Sequence, residues 1–195
     1  MLVMFHPLYG LAALIVILIV LRRNGKSITW LFFFSLFWLY LMQVVSVAIF
    51  PFPIDIADEN FKPNINLIPF DFGHCDPRAR DLCLRQIYEN ILLTIPFGFG
   101  VNFIARLKPR QIWGLAAGVG STLELIQLAI SLTFRISFRV VDINDVLLNA
   151  AGVLIGYAAF RLFGWTYSQL LQRLNIQPRY IFAYIQDLTR PPTDH

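Results

Sequence analysis

The sequence predicts an all-α integral membrane protein of about five transmembrane helices, with its N-terminus outside and an amphipathic C-terminal helix on the cytoplasmic surface. Three observations carry that expectation. Of the 195 residues, 57% are hydrophobic and only 14% are charged, against about 25% charged in a soluble domain. Five apolar runs approach the 17–25 residues, roughly, that a helix needs to cross the hydrocarbon core. Lys and Arg cluster in alternate connections between those runs.

The runs are Leu2–Leu21, Ile28–Phe50, Ile87–Leu107, Trp113–Phe134 and Val146–Phe163. The first has no Lys or Arg before it and no small-residue cleavage site, and Arg22, Arg23 and Lys26 follow it. It therefore reads as a retained span rather than a signal peptide. Arg22, Arg23 and Lys26, then Arg106, Lys108 and Arg110, then Arg161, Arg173, Arg179 and Arg190 occupy alternate connections. The positive-inside rule puts all three regions in the cytoplasm. The loop 51–86 and the segment 135–145 then face outside.

Residues 1–163 form the expected bundle and residues 164–195 the cytoplasmic tail. Trp165–Leu188 spaces Leu170, Leu171, Leu174, Tyr180, Ile181, Tyr184 and Ile185 at helical intervals around Pro178, as in helices that lie on a membrane surface. The net charge of +4 is scattered, without the basic stripe of a nucleic-acid-binding protein. Cys75 and Cys83, both in the outer loop, read as a disulfide. Only His74 lies near them, so no zinc-type site is expected, and no cofactor is implied.

Polar residues inside the spans carry the functional signal. Glu124 lies eleven residues beyond Trp113, about 16 Å into the bilayer at 1.5 Å per residue. A carboxylate at that depth costs about 2.5–3.5 kcal/mol on insertion scales, so it must face the bundle and be used or paired. Ser121, Glu124 and Gln127 share one stripe, and Gly114 and Gly118 beside it would admit a neighbouring helix. Asn90 opens the third span, whose Pro96, Gly98 and Gly100 predict a kink or break. In the last span Asp142, Asp145, Asn149, Gly152 and Gly156 fall within an arc of roughly 80° at 100° per residue. Asn90, Ser121, Glu124, Gln127, Asp142, Asp145 and Asn149 would line one outward-facing pocket, with Arg135 and Arg139 supplying countercharge. The alternative is a structural hydrogen-bond network that holds the spans together.

Four blocks resemble the VanZ-like family. They are Asn66-Leu-Ile-Pro-Phe70; Asn90-Ile-Leu-Leu-Thr-Ile-Pro96-Phe-Gly98; Ser121-Thr-Leu-Glu124-Leu-Ile-Gln127; and Arg139-Val-Val-Asp142-Ile-Asn-Asp145-Val-Leu-Leu-Asn149-Ala-Ala-Gly152. The resemblance covers roughly residues 66–160. Thr94 and Asn144 stand where many members would carry Phe and Asp, changes expected to tune packing and local charge. The resemblance implies a small multi-pass protein of the bacterial cell membrane, in a family named for low-level resistance to the glycopeptide teicoplanin.

Three functions follow as alternatives. The first is a binding protein whose pocket takes membrane lipids, a lipid-linked cell-wall precursor or a lipoglycopeptide, with arginines suited to phosphate. The second is a membrane-embedded hydrolase or transferase acting on a lipid-linked envelope substrate, with Glu124 as general acid or base and Asp142 and Asp145 holding Mg²⁺. No catalytic histidine or positioned nucleophile supports it. The third is a transporter, which five spans without an internal repeat make less suitable. The sequence does not set the oligomeric state.

Overall fold

Helix accounts for 73% of the computed structural model, which describes residues 1–54, 61–72, 80–137 and 139–189, with backbone only at 80–83. The Cys75–Cys83 pair lies outside the described residues, as do His74, Arg190 and His195.

Helix α1 (Pro7–Arg23) starts with proline in its first turn, where the missing N–H has no partner to lose. It ends where Gly25 takes φ 82°. There Lys26 N–H donates to Leu21 O and Gly25 N–H to Arg22 O, both at 3.1 Å, which satisfies the last free carbonyls. Helix α2 (Ile28–Ala48) is capped by Ser27, whose Oγ accepts from Trp30 N at 3.2 Å.

Helix α3 (Arg80–Gly100) runs through Pro96 without interruption. The break expected over Pro96, Gly98 and Gly100 falls at Gly100, where the 3₁₀ turn Val101–Phe103 follows and Asn102 Nδ2 donates to Gly98 O at 2.6 Å. Helix α4 (Pro109–Phe134) begins with Pro109 and ends at Arg135 in the left-handed region, φ 53°. Helix α5 (Ile143–Arg173) continues for ten residues past the expected end at Phe163. Helix α6 (Ile181–Thr189) folds back on α5 and the 3₁₀ turn.

Among the described residues, α2, α4 and α5 are long and apolar enough to cross a membrane. Their apolar side chains point outward as well as inward: Leu36, Leu125, Ile155 and Leu162 are at least 47% exposed. A contiguous apolar exterior of that kind is stable against lipid and not against water.

The most extensive helix contact is α3 against α5, followed by α4 against α5. Glycine makes both close. A Cβ at Gly98 would overlap the Val153 carbonyl, at Gly152 the Thr94 hydroxyl and the Ile91 carbonyl, and at Gly156 the Ile95 carbonyl. Gly120 plays the same part between α4 and α5, against Val146 O. Gly114 and Gly118, expected to admit a helix, face open space among the described residues. One residue's rotation around the helix decides this, and the small-residue pattern alone does not resolve it.

The two ends of the bundle differ. At one end Trp30 Nε1 donates to Ile104 O at 3.0 Å, and Arg106 pairs with Asp187, so the 24–27 turn, the 104–108 connection and α6 gather there. At the other, β1 (Leu2–Val3) pairs antiparallel with β2 (Phe52–Pro53), and β3 (Ile65–Asn66) pairs parallel with β4 (Val141–Asp142). The Phe50–Pro51 peptide is cis. Ala48, Ile49, Phe52 and Ile136 form a small apolar core beneath these strands.

Candidate functional site

Short connections place polar groups at the strand end of the bundle. Asp142 is the N-cap of α5: its Oδ1 accepts Asn144 N at 2.8 Å. Its own N–H donates to Glu124 Oε2 at 2.9 Å, and Asn66 Nδ2 donates to its carboxylate at 3.2 Å. Asp142 is therefore committed to structure, and it is absent from the cavity wall.

Asp145, one turn on, faces α3. Its Oδ1 accepts Asn90 Nδ2 at 2.6 Å and Gln86 Nε2 at 3.3 Å. Gln127 Nε2 donates to Ala48 O at 3.0 Å and Arg139 Nη2 to Val47 O at 2.9 Å, which satisfies carbonyls at the C-terminal end of α2. Thr94 Oγ1 donates to Asn149 O at 2.7 Å and ties α3 to α5.

These residues surround a cleft of about 460 Å³ between α2, α3, α4 and α5. That lies within the range of about 300–1,000 Å³ usual for small-molecule sites. Asn90, Glu124, Gln127, Arg139, Asp145 and Asn149 line it. Ser121 is half-buried and does not line it. Arg135 is exposed at the C-cap of α4 and brings no charge to the cleft. Arg85 takes that place, paired with Glu89 at 2.6 Å, and both line the cleft.

Charge and hydrogen bonding in the cleft are unbalanced. Glu89, Glu124 and Asp145 face Arg85 and Arg139, three carboxylates against two guanidiniums. Asn149 is 2% exposed, and among the described residues its Oδ1 has no hydrogen-bond partner. A buried polar atom without a partner is costly and marks a place where another group fits. Among the lining residues there is no Ser, Thr, Cys or His. Among the described residues no group of three or more His, Cys, Asp or Glu converges as a metal site. Asp142 and Asp145 engage different partners, Asp142 the first turn of α5 and Asn66, Asp145 the side chains of α3.

Thr94 and Asn144 do more than tune packing. Asn144 is 1% exposed. Its Oδ1 accepts Phe70 N at 2.6 Å and its Nδ2 donates to Asp71 O at 2.8 Å, so it holds the 66–71 segment against α5. Long-range backbone partners of this kind leave no local signal in a sequence.

Fold and site together define a helical bundle with membrane-length apolar helices and a polar cleft at one end. The sequence model of the VanZ/LLP1 family matches residues 37–164, and the chain belongs to that family. Comparison with curated proteins and with solved structures finds no match.

Proposed function

We propose that this protein is a multi-pass bacterial membrane protein that binds an envelope lipid or a lipidated ligand in its polar cleft, and thereby gives low-level protection against teicoplanin-type glycopeptides. The observation that carries the reading is a cleft of ligand size, lined by charges of both signs and by a buried amide oxygen with no partner among the described residues, at one end of an apolar bundle. Structural glue alone gives no reason for Asn149 Oδ1 to lie buried without a partner among the described residues. Arg22, Arg23 and Lys26, the 106–110 connection and α6 gather at the opposite end, which supports a cytoplasmic face there and five spans with the cleft outside. α6 would then lie at the cytoplasmic surface.

A lipid-linked cell-wall precursor or a lipoglycopeptide would place its head in the cleft and its chain against the apolar helices. Resistance would follow if binding withdraws the antibiotic or its target. An enzyme acting on a lipid-linked substrate is the second reading. In it Glu124 or Asp145 would act as general base on water.

The test is susceptibility of a Gram-positive host to teicoplanin and vancomycin, with wild type, Glu124→Gln, Arg139→Ala and Asp145→Asn compared at equal membrane levels. Selective protection by wild type that the variants lose supports the proposal. Protection by no form of the protein contradicts the resistance role.

A further inference from the structure

The cleft carries three carboxylates against two guanidiniums, and a second, apolar groove lies farther along the α2–α3 seam. Asp145 Oδ1 and Glu124 Oε2 are engaged by protein donors. Among the described residues Asp145 Oδ2, Glu124 Oε1 and the buried Asn149 Oδ1 carry no hydrogen bond. The two cations of the cleft are occupied differently: Arg85 pairs with Glu89, and Arg139 donates to a backbone carbonyl. An incoming phosphate would meet three carboxylates, with Arg85 already paired to Glu89. An incoming ammonium would meet excess negative charge and three free acceptors, and an ammonium carries three donors.

The second groove, of about 210 Å³, is lined by Phe33, Phe37, Tyr40, Pro96, Phe99 and Phe103 among others, and almost all of its wall is apolar. Leu92 and Leu93 line the polar cleft one turn before Pro96 on α3, and Val47 and Ala48 line it two turns after Tyr40 on α2. The two spaces thus share one seam. Between them Tyr40 Oη donates to Leu93 O at 2.5 Å and ties α2 to α3.

Resting on the reading of the cleft as a ligand site, we propose that its ligand is a single amphiphile with a protonated primary amine on its head group. The ammonium sits among Glu124, Asp145 and Asn149, and the hydrocarbon chain runs down the α2–α3 seam toward the aromatic groove. An aminoacylated lipid, an ethanolamine lipid and an amino sugar on a lipid carrier all share that chemistry.

Native mass spectrometry of the full chain in maltoside detergent tests it. The probes are phosphatidylethanolamine, lysyl-phosphatidylglycerol, the N-acetylated form of each, phosphatidylglycerol, a polyprenyl phosphate and ethanolamine alone. Saturable binding of the amine lipids is expected, weakened at least about tenfold by N-acetylation or by removal of the chain, roughly the loss of one well-made polar or apolar contact set. Glu124→Gln and Asp145→Asn, checked for unchanged melting temperature, lose the preference for the amine. Equal binding of amine and N-acetyl lipids, or preference for phosphatidylglycerol or the polyprenyl phosphate, overturns the head-group assignment and leaves a lipid site standing. Absence of saturable binding by every amphiphile overturns both. The acetylation arm uses wild-type protein, so a variant that fails to fold does not spoil the comparison.

Discussion

Glu124 accepts the backbone N–H of Asp142 through Oε2 at 2.9 Å. A carboxylate in the second half of α4 thereby fixes the first turn of α5, while its other oxygen is left to the cleft. Replacement by alanine strands a buried N–H, which costs about 1–3 kcal/mol. Glutamine keeps an acceptor, and its cost should stay below about 1 kcal/mol. Unfolding in detergent by SDS titration should rank the proteins wild type, then Glu124→Gln, then Glu124→Ala, and only a ligand assay should separate the first two clearly.

Asn144 bonds Phe70 N, Asp71 O and the Asp142 cap with one side chain. Asn144→Ala should cost about 2–4 kcal/mol, the sum of several net hydrogen bonds of about 0.5–1.5 kcal/mol each. Hydrogen exchange should speed up first at residues 67–71, with α1 and α6 unaffected. Uniform acceleration across the chain would show that the contact is global rather than local.

The α3–α5 seam has no room for a side chain at Gly98, Gly152 or Gly156. Gly156→Val should abolish accumulation of folded protein, since the opposing group is the Ile95 backbone and cannot swing away. Gly118→Ala, which meets open space among the described residues, should be tolerated. Fluorescence-detected size exclusion of tagged protein separates the two outcomes.

At the far end Tyr184 Oη donates to Phe103 O at 2.6 Å, Phe33 stacks on Tyr184, and Asp187 pairs with Arg106. Tyr184→Phe together with Asp187→Asn should loosen α6 by about 1–2 kcal/mol. Limited proteolysis should then cut faster in the 174–180 connection. The head-group preference of the polar cleft should not change, because α6 lies at the opposite end from it.

The helices were legible because apolar length and 3.6-residue spacing are local properties. The stripe Glu124–Gln127 and the pair Asp145–Asn149 reached one cleft for the same reason. Arg135 did not, because it sits past the last helical turn in a left-handed conformation, where periodicity no longer predicts direction. Arg85 was missed as a lining residue because charged residues concealed the two turns by which α3 extends before Ile87, and Glu89, beside Asn90 inside the expected span, carried no signal that set it on the cleft side. Asp142 was assigned to the cleft by its angle on a helical wheel, yet an N-cap has extended backbone and its side chain turns back onto the helix. The role of Asn144 depends on the β3–β4 pairing between residues more than seventy positions apart, and no window of the sequence contains both strands.

The central claim is that the cleft holds a lipid-like ligand, and occupancy of the cleft tests it most directly. Val47 lines the mouth and is 51% exposed, so Val47→Trp should obstruct the cleft without disturbing the core. Native mass spectra of protein extracted from bacterial membranes should show a lipid adduct on wild type that Val47→Trp lacks at equal thermal stability. The same adducts on both proteins, or on neither, would contradict a ligand in the cleft and return its polar residues to a purely structural role.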